Sequence, residues 1–429
     1  MAGADLPIIY LDKGELEEFC NNNKNSLNGY SYEWEGEQVV HLCINRATHG
    51  FGNIGKTVFS KSEPSSFVNS LLVDASYFVH AYIENGEVTA KVFEINNGTC
   101  VPRDPNFIPS KQELYSRNKG ILEISILEKK RVMIVGLGSF GSQIAIELAK
   151  AGVGSFSLFD FDRVELHNLA RHTCTINELG RLKTDAIYDA IKGKNPYATV
   201  DKFPININDD LALLESEMNK ADIVICATDN NLSRFNISEA LVKNHKTGIF
   251  GRAVTRAEGG DVFRYRPGGP CYCCLIGAGF YDVKAEELTD VQSARRNGQI
   301  AAYVSEEDAD AMVQVGLSAD IEPICNLMIK LCLVELSRGA ESGISSLEDE
   351  LIYDYYMWAN RRERRHASWA PMPNSANRPT ILRWYGARIP KNDNCPLCSI
   401  KEHDLDLGED IESELNKDVD LSDIDLDKL

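Results

Sequence analysis

The sequence lacks an apolar run approaching the roughly 18 residues needed to cross a bilayer. Its first residues also lack the basic flank and apolar stretch of an export signal. Twelve cysteines in 429 residues are too few and too unevenly placed for a secreted disulfide scaffold. These absences predict a soluble cytoplasmic protein with no membrane association.

Positive charge is also scarce, because the chain has a formal net charge of −19. The stretch from Ser399 onward contributes −9 of this, from twelve acidic residues and three lysines, and leaves −10 for the rest of the chain. Such a balance disfavours unassisted binding to nucleic acid. The charge density of residues 399–429 predicts a flexible acidic tail.

The length predicts two to three domains. The first hundred residues contain a short helical pattern and alternating β-branched and aromatic runs, which indicate a small α+β accessory domain over residues 1–105. The segment NNGTCVPRDPNFIPS (96–110) is rich in turn formers and contains three prolines. It predicts a linker, with a boundary near residue 105.

From Arg131 the pattern changes to an apolar strand, a glycine turn, a helix and a second strand. Further apolar strands follow in ADIVICAT, TGIFGRAV and DVFRYR, and IEPICNLMIKLCLVEL indicates a buried helix. This order predicts an α/β fold, a Rossmann-like doubly wound and mostly parallel sheet, over residues 106–398. The part between the last helix and Cys398 is rich in aromatics and is expected to be irregular.

The glycine turn has the pattern Gly136-x-Gly138-x-x-Gly141 between the strand and the helix, and Asp160 ends the next strand. Backbone N–H groups and the helix dipole can hold a phosphate at such a turn, while the carboxylate can bind ribose hydroxyls. The pattern indicates a nucleotide without specifying which one, and NAD(P) dehydrogenases share it.

Further motifs follow in order: DFDRVELHNLARH, Gly180 to Lys183 as GxxK, KNP, TDN and a CxxC. Together with the glycine turn they resemble the ubiquitin-activating enzyme superfamily in its compact ThiF/MoeB-like form. The resemblance extends from about Tyr115 to Cys398. One departure is His172, which stands where the family usually has glutamine.

The resemblance implies an ATP-dependent adenylyltransferase in which a carrier protein's C-terminal glycine carboxylate attacks the α-phosphate of ATP and pyrophosphate leaves. It implies that Asp160 binds ribose and that Asn168 and Arg171 contact the nucleotide and its phosphates. It further implies that Lys183 neutralises phosphate charge and that Asp229 holds Mg²⁺. Such chemistry depends mainly on positioning and charge neutralisation, which cations and a metal ion provide.

Upstream, LYSRNKGIL is similar to a family segment whose arginine reaches into the ATP site of a partner subunit. The corresponding residue is Arg117. The resemblance therefore implies a homodimer whose sites are completed in trans.

Two CxxC pairs, Cys271 with Cys274 and Cys395 with Cys398, suit a closed structural zinc site of four thiolates. Because the pairs lie about 120 residues apart, the metal would fasten the end of the chain to the nucleotide domain. Buried free thiols are the competing interpretation.

A thioester after adenylation would need an accessible cysteine with a favoured thiolate. No cysteine lies between Leu275 and Ile324, and Ser318 occupies the region where some relatives have theirs. Cys325 is the nearest candidate nucleophile, although its apolar neighbours equally suit buried packing. The adenylate can alternatively be the only activated product, or the carrier can pass directly to a cysteine of another protein.

The expected substrate is a ubiquitin-like protein, because the extra N-terminal domain and acidic tail resemble activating enzymes of bacterial ubiquitination-like operons of antiviral defence. The tail is a candidate for recruiting a conjugating enzyme as an added strand. The alternatives are a sulfur-carrier protein of the thiamine or molybdopterin type, and a tRNA or small-molecule adenylyltransferase of the same fold. An NAD(P) oxidoreductase or an inactive scaffold leaves Arg171, Lys183 and Asp229 unexplained.

Overall fold

The computed structural model describes residues 6–34, 36–45, 53–64, 74–96, 99–108, 114–279, 316–341, 343–362, 366–368 and 380–399. Within these ranges the strands form two eight-stranded sheets. No helix in the described ranges is long and apolar enough to cross a membrane. The predicted acidic tail lies outside the described residues, apart from Ser399.

The first sheet is built from the strands before residue 109. They are β1 Ile8–Asp12, β2 Ser26–Trp34, β3 Val39–Cys43, β4 Asn53–Ser60, β5 Ala75–Glu84, β6 Glu87–Asn96, β7 Thr99–Arg103 and β8 Pro105–Ile108. Their order is β7-β6-β5-β4-β2-β3-β1-β8, with parallel and antiparallel pairs. One helix, α1 (Lys13–Asn21), covers this sheet with the buried Leu16 and Phe19. A mixed sheet with one α-helix in the described part of this region agrees with the α+β prediction.

The prediction of a linker over residues 96–110 was wrong, because strands β7 and β8 lie within this segment. Both are edge strands, and Pro105 is the first residue of β8. Proline is tolerated at these places because an edge strand leaves part of its N–H groups unpaired. The first sheet therefore continues to Ile108, past the boundary expected near residue 105.

The second sheet is built from the strands from Arg131 onward. Its strands are β9 Arg131–Val135, β10 Ser155–Phe159, β11 Thr199–Phe203, β12 Ile223–Cys226, β13 Thr247–Ala253, β14 Gly259–Tyr265, β15 Tyr355–Ala359 and β16 Arg383–Ala387. Within the described ranges, the α-helices beyond α1 are α2 Ile124–Leu127, α3 Ser139–Ala151, α4 Lys183–Lys194, α5 Leu211–Lys220, α6 Asn231–Lys243, α7 Tyr272–Gly277 and α8 Ser318–Ser337.

The strand order of this sheet is β11-β10-β9-β12-β13-β14-β15-β16, and the strands from β11 to β13 are parallel. One face packs on α3, α4 and α8, the other on α5, α6 and α7. The chain order reverses between β9 and β12, and ligands of doubly wound sheets bind at the carboxyl ends of such strands. The predicted Rossmann-like doubly wound fold is confirmed.

The aromatic segment expected to be irregular contains β15 and β16, so that expectation was wrong. Both strands pair antiparallel and extend the sheet beyond β14. Trp358 and Trp384 face each other across this pair with ring centroids 5.3 Å apart. Aromatic pairs of this kind stabilise neighbouring strands.

Candidate active site

The three glycines of the turn after β9 meet different surroundings. Gly136 has φ +87°, and a Cβ there would lie 2.7 Å from the Ala227 carbonyl oxygen. A Cβ on Gly141 would lie 1.8 Å from the Gly136 carbonyl oxygen. A Cβ on Gly138 would meet no atom within 4 Å. Packing therefore requires Gly136 and Gly141, whereas Gly138 borders open space at the start of α3, where a phosphate can approach.

Asp160 follows β10 and reaches back to this turn. Its Oδ2 accepts the Leu137 N–H at 2.7 Å and its Oδ1 accepts the Asp162 N–H at 2.8 Å. Burial raises the pKa of Asp160, while Lys183 and the two N–H groups oppose that effect. Each carboxylate oxygen can accept a second hydrogen bond, so these contacts leave capacity for the ribose hydroxyl that the resemblance assigns to Asp160.

Lys183 is the first residue of α4 and only 8% of it is exposed. Its Nζ donates to Asp162 Oδ2 at 2.8 Å. Burial alone would lower the pKa of Lys183, but Asp160, Asp162 and Asp229 outweigh it and raise the pKa. The site thus holds a fixed positive charge beside the glycine turn. Asp162 was not among the predicted site residues, although the Asp-Phe-Asp pattern contained the signal.

Asp229 is exposed and lies between β12 and α6. The segment is held from both sides, since Arg234 donates to the Thr228 carbonyl at 2.7 Å and Asn230 caps α6 by accepting the Ser233 N–H at 2.8 Å. An exposed carboxylate on a fixed backbone at the end of a central strand suits a Mg²⁺ ion that also contacts phosphate.

Arg171 and Asn168 lie in the loop between β10 and α4. The Asn168 Oδ1 accepts the Glu165 N–H at 2.9 Å and so caps a short 3₁₀ helix. The Arg171 guanidinium is half-buried, and burial lowers its pKa. Within the described ranges its side chain makes no hydrogen bond or ion pair. A partly desolvated cation of this kind is suited to an anionic ligand.

Arg117 is exposed on a short 3₁₀ helix, Ser116–Asn118. Its neighbour Tyr115 is buried and donates its hydroxyl to the Ala149 carbonyl at 2.9 Å. This bond fixes the segment to the C-terminal end of α3, whereas the glycine turn lies at the other end of that helix. The 13 residues of α3 correspond to about 20 Å.

The four cysteines of the two CxxC pairs come together. Their sulfur atoms lie within 4.8 Å of one another, with Cys271 Sγ to Cys395 Sγ at 3.4 Å and Cys274 Sγ to Cys398 Sγ at 3.5 Å. A tetrahedral zinc ion with four thiolates needs sulfur atoms about 3.8 Å apart. The arrangement therefore fits a metal of this kind, and it connects α7 to the segment after β16.

Cys325 lies in the second turn of α8 and is 1% exposed. Burial raises the pKa of its thiol. A nucleophile needs access and a favoured thiolate, so the structure does not support Cys325 in that role. All twelve cysteines lie in the described ranges; six of them are buried and six are half-buried.

The fold and these residues define a protein of the doubly wound α/β class with a candidate nucleotide site. The ThiF family model matches residues 116–338, and the chain belongs to the ThiF family. This agrees with the resemblance inferred from the motifs.

Two curated proteins illustrate the similarity. Molybdopterin-synthase adenylyltransferase of Escherichia coli is 37% identical over 151 residues, which cover 35% of this chain and 59% of that protein. The adenylyltransferase and sulfurtransferase UBA4 of Scheffersomyces stipitis is 28% identical over 201 residues, 45% of each chain. The chain thus spans less than two thirds of the length of either relative. Among solved structures, E. coli MccB with MccA has 17% identity and a TM-score of 0.48, over 68% of this chain and 76% of that one.

Proposed function

We propose that this protein is an ATP-dependent adenylyltransferase that activates the C-terminal glycine carboxylate of a small carrier protein. One observation carries the proposal. Lys183 lies among three carboxylates, next to a glycine turn that is open at Gly138. This turn follows β9, where the strand order of the ThiF-family sheet reverses. The names of the relatives, which contain the word adenylyltransferase, support the same reaction class.

In this proposal the ATP phosphates lie over Gly138 and the N-terminal turn of α3. Arg171 and Lys183 balance the phosphate charge, and Asp229 would hold Mg²⁺. The carrier carboxylate oxygen attacks the α-phosphorus, the bond to the bridging oxygen breaks, and pyrophosphate leaves. Fixed cations lower the barrier because charge accumulates on the phosphate oxygens during the transfer.

Arg117 is proposed to act in the site of a second copy of the chain. Because Tyr115 fixes its segment about 20 Å from the glycine turn of the same chain, an action at the nucleotide requires another subunit. A homodimer with two equivalent sites would satisfy this requirement.

The activated product is proposed to be the adenylate itself, because the candidate nucleophile Cys325 is buried and burial raises the pKa of its thiol. Further transfer would then use a thiol or sulfur donor of another protein. Two carrier classes remain: the N-terminal sheet and acidic tail favour a ubiquitin-like protein, whereas the name of the E. coli relative favours a carrier of molybdopterin synthesis.

Carrier-dependent ATP–pyrophosphate exchange tests the proposal. Candidates are small proteins ending in glycine that are encoded beside this gene. Exchange should require both carrier and Mg²⁺ and should fall by more than about a hundredfold in Asp229→Ala. The control is Asp349→Ala, which removes an exposed carboxylate in the segment between α8 and β15. This variant should match the wild type. Carrier-independent exchange, or full activity in Asp229→Ala, would contradict the proposal.

A further inference from the structure

One residue of the glycine turn, Leu137, is held by two side chains. Leu137 is fully buried, its N–H donates to Asp160 Oδ2 at 2.7 Å, and its carbonyl lies 2.6 Å from His172 Nε2. His172 is itself 8% exposed. The turn therefore depends on polar contacts from two separate segments, one at the end of β10 and one in the loop that follows.

The tautomer of His172 follows from its second contact. The Cys174 N–H donates to Nδ1 at 3.0 Å, so Nδ1 is the acceptor. Nε2 then bears the hydrogen and donates it to the Leu137 carbonyl. A neutral imidazole has one donor and one acceptor, and both are used here. A glutamine side chain offers a donor and an acceptor as well.

The direction of one carbonyl determines the direction of the next N–H. Because the peptide group is planar and trans, the Leu137 carbonyl and the Gly138 N–H point to opposite sides. The carbonyl is turned towards His172, so the Gly138 N–H is turned away from it. Gly138 is also the glycine that borders open space.

We propose that His172 is a positioning residue that aims the Gly138 N–H at the ATP phosphates by holding the Leu137 carbonyl. The inference rests on the proposed use of ATP. In this role the neutral His172 side chain donates one hydrogen bond and accepts another, as an amide would, and does not contact the nucleotide.

The test compares His172→Gln with His172→Met. The two side chains have similar lengths, but only glutamine retains a donor and an acceptor. In carrier-dependent exchange, His172→Met should raise KM for ATP about tenfold with kcat nearly unchanged, since one hydrogen bond that orders the cradle is lost. His172→Gln should stay within about threefold of the wild type.

A second measurement needs no nucleotide. Amide hydrogen exchange over residues 136–141 should accelerate in His172→Met and stay close to wild type in His172→Gln. Cys174→Ser should change neither measurement, because residue 174 contributes only its backbone N–H to His172.

Unchanged KM and unchanged amide exchange in His172→Met would overturn the inference. Equal defects in both His172 variants would show that a donor and an acceptor at this position are not what holds the turn, and would overturn the inference. A wild-type protein without any ATP exchange would overturn the proposed function instead, while the amide exchange would still decide whether His172 holds the turn.

Discussion

At the scale of single residues, the glycine turn separates folding from function. Gly141 is required because its Cα–H faces a backbone carbonyl at short range, whereas a Cβ on Gly138 would meet no atom of the described residues within 4 Å. A residue without a side chain at this open position leaves room for a ligand that comes close to the backbone.

Replacing these glycines by alanine should give different results. Gly138→Ala should lower the melting temperature less than Gly141→Ala does, yet weaken ATP binding about tenfold or more, because the methyl group occupies the place of the phosphate. Gly141→Ala should lower the free energy of unfolding by about 3 kcal/mol or more. Thermal melts and calorimetric titration with ATP measure both effects. Unchanged ATP affinity in Gly138→Ala would contradict a phosphate at this turn.

His172 also predicts a pH dependence of stability. Burial lowers its pKa from 6.5 to about 4, an effect that the contact to Leu137 only partly opposes and to which nearby Lys183 adds. Because the unfolded chain binds the proton more tightly, the contribution of His172 is fully present above pH 6.5 and is lost as the pH falls towards 4.

When the pH falls from 7 to 5, the free energy of unfolding should decrease by about 2 kcal/mol more in the wild type than in His172→Gln. Urea unfolding of both proteins at the two pH values measures this difference. Equal pH dependence in the two proteins would show that His172 is not held in its neutral form.

At the scale of elements, hydrophobic patterning predicted the helices and strands that form the site. The apolar run before Gly136 became β9, and the periodic segment after it became α3. Four strands, β7, β8, β15 and β16, escaped prediction. The partners of β8 and β15 include strands about 100 residues earlier in the chain. One proline each in β7 and β8, and the aromatic composition of β15 and β16, carry no period that identifies a partner.

The site could be predicted only in part for a related reason. Motif order pointed to Arg171, Lys183 and Asp229, but the partners of these residues come from the fold. The ion pair between Asp162 and Lys183 and the contact between His172 and Leu137 join segments about 20 and 35 residues apart. For Cys325 the apolar neighbours left a nucleophile and a buried thiol both open, and the packing of α8 against the sheet buries it.

The cysteine group should hold one metal ion that fastens the end of the described chain to α7. Purified protein should contain about one zinc per chain, and Cys395→Ser should lose it and lower the melting temperature. Cys273→Ser is the matched control, because Cys273 lies between two members of the group without belonging to it. Metal analysis and thermal melts give the readout. Full zinc content in Cys395→Ser, or loss in Cys273→Ser, would contradict the assignment.

At the scale of the whole molecule, the proposed homodimer predicts complementation between inactive variants. Arg117→Ala and Asp229→Ala should each lose activity as homodimers. After subunit exchange, a mixed dimer contains one site with both wild-type residues, so an equal mixture should recover about a quarter of wild-type activity. Asp229→Ala mixed with Lys183→Ala should recover none, since both residues belong to the same subunit's site. Absence of recovery in the first mixture, despite proven exchange of subunits, would contradict action in trans.

The most direct test of carboxylate adenylation is the intact mass of the carrier after incubation with enzyme, Mg²⁺ and ATP. The account predicts a carrier species heavier by one AMP with loss of one water, formed together with pyrophosphate. The heavier species should be absent when the oxygen that bridges the α- and β-phosphates of ATP is replaced by a methylene group. A carrier of unchanged mass, with ATP converted to ADP and phosphate, would contradict the proposed reaction.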